Sequence, residues 1–289
     1  MKRQISWHGR LARVVAWVSR PCLRRGAPST GGTPVPLQAT ALLFLLLCAA
    51  FAAEPNRHYR VEDIPAPPGL DPNCGGLAFL PDGRLVAVFD SGYVGLYTPA
   101  TRTWRQFAAG LHSPMGIWAA SEREIFVAQR AELTRLRDTD GDGVADDYRC
   151  VSDAWGLSGN YHEFAFGLAR DPAGNFYVGL GSASGGGVSR FEMHGEFREG
   201  VLTPGSGHYS PTPWRGWVVR IAPDGALTPI GAGFRQPSGL VLDPGGRLLV
   251  TDNQGDWIGT SPIHHVTEGK FHGHPGALVW RGDFDAKRS

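Results

Sequence analysis

The sequence predicts an all-β chain built as a β-propeller, and three observations carry that expectation. Gly (40) and Pro (22) punctuate the 289 residues every few positions. After the N-terminal lead no sustained helical period of apolar residues is present, and short strands alternate with turns. A hairpin unit recurs at the spacing of a propeller blade, about 40–50 residues.

The clearest copy of that unit lies within Gly233 to Trp257. Leu240-Val241-Leu242 stops at Asp243-Pro244-Gly245-Gly246, and Leu248-Leu249-Val250 follows at once. Two short strands joined by a Gly/Pro turn are expected. Earlier copies run from Gly76 to Val88, from Gly116 to Ala128 and from Gly167 to Val178. The lead glycines Gly76, Gly116, Gly167 and Gly239 are spaced by 40, 51 and 72 residues. The last gap holds a blade plus a Gly/Ser/Pro-rich excursion over residues 181–217. Arg235 and Gln236 precede the first strand of the last copy, and Asp252, Asn253 and Gln254 follow its second. Strand ends opening on one face would bring the two groups together.

The chain starts differently. Residues 1–38 carry seven basic side chains and no acid, and Ala41 to Ala53 is an unbroken apolar run of 13 residues. A bilayer span needs about 18 or more. A basic lead, a short apolar core and small residues at its end describe a secretory signal cleaved near Ala52. An uncleaved anchor is the alternative. Residues 1–53 are therefore read as lead and signal, and 54–289 as the propeller domain. The protein is expected to be periplasmic or extracellular, or membrane-anchored if the signal stays. Without the seven lead bases, 21 bases face 27 acids, a net of −6. That balance argues against nucleic acid as a partner. Cys74 and Cys150 remain outside the lead, and an oxidising compartment permits a bridge. A bridge and two separately buried thiols both stay open. No Cys-x-x-Cys-His occurs, so no c-type haem site is expected in this chain.

Three polar stretches carry possible chemistry. Asp138, Asp140 and Asp142 alternate before Gly143, with Asp146 further on, the pattern of a calcium loop. The bidentate Glu of that pattern is replaced by Arg149, so a solvated Asp/Gly turn competes with the metal reading. His162 and Glu163 stand before the third repeat. Neighbours on a strand point to opposite faces, so His162 alone is the candidate base. His264, His265, His272 and His274 make the tail histidine-dense, in a spacing that fits no standard zinc pattern.

Gly233-Phe234-Arg235-Gln236-Pro237-Ser238-Gly239-Leu240 resembles the G-x-R-N-P-x-G-L motif of the glucose/sorbosone dehydrogenases, the soluble quinoprotein family. Thr251-Asp252-Asn253-Gln254-Gly255, the Gly269 to Pro275 stretch and His162 ahead of Gly167-Leu168 fit the same pattern. The Asp-Gly-Asp-Gly loop resembles a membrane-bound dehydrogenase subgroup that often carries a C-terminal c-type haem domain. The resemblance covers roughly residues 60–282. It implies a six-bladed propeller holding pyrroloquinoline quinone (PQQ) and calcium. His162 would be the general base for hydride transfer from a sugar or alcohol hydroxyl. Arg235 and Gln236 would hold the quinone, and backbone oxygens at Gln254 and Gly255 the calcium. A c-type cytochrome would be a fitting electron acceptor. Gln236 departs from the usual Asn, and the family's early Gln-containing substrate motif is replaced around His112 to Gly116. Four repeats and the start of a fifth fall short of six blades, so the chain reads as the N-terminal part of a longer protein or a truncated product. A propeller without catalysis, binding sugar or protein, and a scaffold of the NHL-repeat kind are the alternatives.

Overall fold

A computed structural model describes residues 61–185, 193–198, 207–256 and 259–283. The signal segment and its boundary at residue 53 lie outside them. From Asp63 onward the chain forms one unit. It is all β, with a propeller arrangement of four blades and, among the described residues, one short 3-10 helix at Pro275–Trp280. None of its described helices is long and apolar enough to cross a membrane.

The first blade is a four-stranded antiparallel meander: β1 Cys74–Phe79, β2 Leu85–Phe89, β3 Tyr93–Thr98 and β4 Thr103–Ala108. The second repeats it with β5 Gly116–Ser121, β6 Glu124–Ala128, β7 Leu133–Arg137 and β8 Asp147–Ser152. The third uses β9 Ala165–Arg170 and β10 Phe176–Leu180. The chain then leaves for a two-stranded ribbon, β11 Ala183–Ser184 with β12 His208–Tyr209. It returns as β13 Trp217–Ile221 and β14 Leu227–Ala232. The fourth blade shows β15 Pro237–Leu242, β16 Leu248–Asp252 and β17 Ile263–His265. The tail then crosses back, and β18 Lys270–Phe271 pairs in parallel with β14 of the third blade.

Each expected hairpin forms, and for the expected reason. Asp243 accepts the Arg247 N–H at 2.8 Å, while Gly246 takes φ +78°, a conformation open to glycine at little cost. Asp171 and Gly174 make the same turn between β9 and β10, with Gly174 at φ +92°. The lead glycines lie in the first halves of β1, β5, β9 and β15, the strands that approach one another from blade to blade. A Cβ on Gly116 would sit 2.1 Å from the Gly167 carbonyl oxygen. One on Gly167, at φ +62°, would sit 2.8 Å from Leu240 Cδ1. Only glycine lets the inner strands lie this close.

The core lies between blades. Val86, Val88, Leu96 and Phe107 of the first blade pack on Ile125, Val127 and Leu136 of the second. Trp155 and Leu133 meet Phe176, Leu180 and Ile221 across the next gap. Ile230 and Val218 meet Phe234, Leu248 and Val250 across the last. Burying each such side chain contributes about 1.5–3 kcal/mol, so blade stacking rather than any single sheet holds the array. Cys74 and Cys150 are separate, exposed thiols. This settles the open pairing against a bridge.

Candidate functional site

The site begins with Asp252 at the end of β16. Its carboxylate accepts the backbone N–H of Gln236 on Oδ1 at 2.7 Å and that of Arg235 on Oδ2 at 3.0 Å. Asn253 N–H returns to the Gln236 carbonyl at 3.2 Å. The two polar ends of the fourth-blade hairpin are thus tied together, as the hairpin pattern anticipates. The Arg235 carbonyl in turn accepts both N–H (2.8 Å) and hydroxyl (2.9 Å) of Ser182. Arg235 and Gln236 are pinned by their backbones, which leaves their side chains to point elsewhere.

His162 arrives from the loop before β9. Its N–H donates to Asn160 Oδ1 at 3.1 Å, and its carbonyl accepts from Gln236 Nε2 at 3.0 Å. Gln236 Nε2 also reaches the Ser182 carbonyl at 2.8 Å. His162 and Gln236, 74 residues apart, are therefore in direct contact. Burial pushes the His162 imidazole below the ordinary histidine range, helped by the nearby His208 and Arg235. This favours the neutral imidazole. Glu163, its neighbour, points away into full burial and accepts Ser158 N–H at 2.6 Å and the Ser158 hydroxyl at 2.8 Å. The two do diverge, but in the loop before β9 and not on a strand, so the alternation expected of strand neighbours is not what separates them.

Among the described residues, three buried polar atoms gathered here lack a hydrogen-bond partner: His162 Nδ1, Arg235 Nη1 and Gln236 Oε1. Such atoms cost free energy unless something binds them. One donor of a cation, one acceptor and one imidazole nitrogen suit an anionic, oxygen-rich ligand such as a carboxylated quinone.

The sequence reading misses His208 and Asp256. His208 comes in on β12, inside a Gly/Ser-rich excursion that carries no motif. Its ring lies 6.1 Å from that of His162, nearly parallel at 15°. Arg235 Nε donates to His208 Nε2 at 2.9 Å, and His208 Nδ1 meets Asp256 Oδ1 at 2.9 Å. Asp256 Oδ2 holds His274 Nε2, also at 2.9 Å. Asp256 directly follows the Gln254-Gly255 pair, the only signal that could have drawn attention to it.

The remaining expected residues fall into separate groups. Gln254 is exposed, its N–H on Asn253 Oδ1 at 2.8 Å. Gly255 lines a cleft of about 20 Å³ with Asp252, Asn253 and His274, room for roughly one water. His272 and His264 pack on the Phe234 ring, with centroids at 4.7 and 5.5 Å. Asp138, Asp140 and Asp142 cluster on the second blade. Their carboxylates accept backbone N–H groups of Gly141, Gly143, Asp142 and Val144. Asp146 turns to Thr139 instead, accepting its N–H at 2.9 Å and its hydroxyl at 2.7 Å.

Solved structures share the fold. A glucose dehydrogenase-type oxidoreductase of Thermus thermophilus aligns at TM-score 0.53 and 21% identity, over 79% of this chain and 70% of that one. The PQQ-bound aldose sugar dehydrogenase of Streptomyces coelicolor aligns at 0.52 and 18%, over 75% of this chain and 66% of its own length. A carbohydrate-active enzyme of family AA12 from Trichoderma reesei aligns at 0.50 and 15%, over 70% and 55%. No curated protein matches. Residues 81–268, well over half of the chain, match the family described as a domain of unknown function, DUF7133, and the chain belongs to that family.

Proposed function

We propose that this chain is an exported, PQQ-dependent dehydrogenase-type propeller that oxidises a sugar or alcohol hydroxyl. The observation that carries the reading is the convergence of His162, Arg235 and Gln236 with three buried polar atoms unmatched. The sugar dehydrogenase fold of the structural neighbours supports it by analogy.

Arg235 would offer Nη1 to an anionic group of the quinone, and Gln236 Oε1 would accept from a donor on it. Bound there, the quinone supplies the acceptor for the hydride. The His162 imidazole, neutral and with Nδ1 uncommitted, takes the hydroxyl proton as the C–H bond breaks. The rigid tie of Asp252 to the Arg235 and Gln236 amides holds these groups at one strand end. Calcium would belong to the backbone oxygens at Gln254 and Gly255, with the 138–142 loop a second candidate. A c-type cytochrome remains the fitting acceptor of electrons.

Calorimetric titration with PQQ and calcium, followed by dye reduction across a panel of sugars, tests the reading. Binding by the wild type, weakened at least tenfold in Arg235→Ala, is expected. His162→Gln should bind the quinone normally and lose turnover by about 10²–10⁴. No quinone binding to folded wild-type protein would move the assignment to a non-catalytic sugar- or protein-binding propeller or an NHL-like scaffold.

A further inference from the structure

We propose that His208, Asp256 and His274 form a binding site for a divalent first-row transition ion of the Zn2+ class. This site is distinct from any calcium on the backbone beside it. One ligating atom from each residue lies within 4.8 Å of the other two. The three come from separate segments: the ribbon strand β12, the loop after β16 and the residue capping the 3-10 helix. Asp256 stands between the imidazoles, with an oxygen 2.9 Å from each ring nitrogen. Bond lengths of about 2.0–2.2 Å to zinc put tetrahedral ligands roughly 3.3 Å apart. The two His–Asp pairs need to open by only a few tenths of an ångström to admit the ion, with the two ring nitrogens already within 4.8 Å of each other.

The donor set decides the ion's class. Two imidazoles and one carboxylate suit zinc or iron, whereas calcium and magnesium ask for oxygen ligands throughout. Three protein ligands leave a fourth position, and the Asp256 side chain, 15% exposed, marks its open side. Small residues keep the surroundings clear. A Cβ on Gly276 would lie 3.1 Å from His274 Cε1 and 3.2 Å from the His208 carbonyl. On Gly207 it would reach Asp256 Oδ1 at 4.0 Å.

The ion and Arg235 compete through His208. Arg235 Nε contacts both ring nitrogens of His208, Nε2 at 2.9 Å and Nδ1 at 3.3 Å, and the shorter contact makes Nε2 the acceptor, with the proton on Nδ1 toward Asp256. An ion on Nδ1 moves the proton to Nε2 and turns that acceptor into a donor. Metal binding would then break the Arg235–His208 bond and free the guanidinium, whose Nη1 is already unmatched.

Zinc titration of chelator-stripped full-length protein against a competing chromophoric chelator tests the site, with cobalt absorption as the spectroscopic readout. One ion per chain is expected, unaffected by a hundredfold excess of calcium. Asp256→Asn and His274→Gln should each weaken zinc at least tenfold, and Asp140→Asn should leave it unchanged. Arg235→Met should tighten zinc several-fold, an effect that a mere His–Asp–His hydrogen-bond network would not produce. Circular dichroism verifies that each variant is folded. Asp256→Asn is the safer variant, since its side chain reaches the surface. Zinc held equally by Asp256→Asn, or none held by folded wild type, would overturn the site. No quinone or substrate enters the assay, so its failure and that of the dehydrogenase reading are told apart.

Discussion

Two arginines twenty residues apart, Arg215 and Arg235, show how this molecule divides structure from function. Arg215 is fully buried. Nε donates to the Gly156 carbonyl at 2.6 Å, Nη1 to those of Glu163 and Phe164 at 3.0 Å, and Nη2 to that of Arg130 at 2.9 Å. Burial lowers its pKa to about 10, which leaves it charged at neutral pH. Every nitrogen of the group has a partner, and all the partners are backbone. Arg215 therefore clasps the loops that join the second and third blades. Arg235 is half-buried, holds His208 with Nε and leaves Nη1 unmatched. A guanidinium satisfied on all sides is a strut. One with an open donor in a buried setting waits for a ligand.

The largest expected effect tests the strut. Arg215→Met should destabilise the domain by about 3–5 kcal/mol, because four carbonyls each lose a charged donor, and among the described residues only those of Arg130 and Phe164 keep another, from Trp155 Nε1 and the Gly181 N–H. For a domain of this size, that corresponds to a fall in Tm of very roughly 6–20 °C in a calorimetric scan. A drop of less than about 1 kcal/mol would show that the clasp is dispensable. Arg235→Ala should do the reverse: a stability change of about 1 kcal/mol or less, with quinone affinity down tenfold or more. A Tm loss as large as that of Arg215→Met, with quinone affinity intact, would make both arginines struts and erase the contrast.

A third test uses pH. Burial holds His162, His264 and His274 below the ordinary value of 6.5 in the folded chain. The unfolded chain therefore binds more protons near and below that value. The stability from these groups is complete above about pH 6.5 and is lost as pH falls through their depressed folded pKa values. Urea midpoints at pH 7.5 and 5.5 should show the decline, and His162→Gln should make it shallower. Midpoints unchanged between the two would contradict burial of neutral imidazoles. The smallest effect concerns the acidic loop. Asp140→Asn should change stability by only about 0.5 kcal/mol in calcium-free buffer, since Asp140 is exposed and holds one local N–H. A clear loss of calcium-dependent Tm gain in this variant would mark the loop as a true cation site.

Much of the fold is legible one segment at a time. Asp-Pro-x-Gly and Pro-Asp-Gly turns are short-range chemistry, and each forms where the residues place it. The glycines at 76, 116, 167 and 239 mark inner strands, and at 116 and 167 a Cβ would run into the next blade. The tail is different. Lys270–Phe271 pairs in parallel with β14 of the previous blade, and no local pattern encodes that return. The same crossing carries His274 to Asp256 and leaves His264 and His272 packed on Phe234. Histidine spacing alone could not sort ring packing from ligand geometry.

The amino-acid order by itself determined the strand-and-turn alphabet, the blade repeat and the Arg235-Gln236 pair beside Asp252, because those depend on neighbours within a hairpin. Only the tertiary structure decided that His162 would meet Gln236 from 74 residues away, or that His208 would reach Arg235 and Asp256. It also decided that Arg215 would turn all three of its guanidinium nitrogens onto carbonyls. These contacts join segments whose sequences carry no shared period. Blade stacking sets them, through apolar surfaces buried between sheets, and local propensity is blind to that packing.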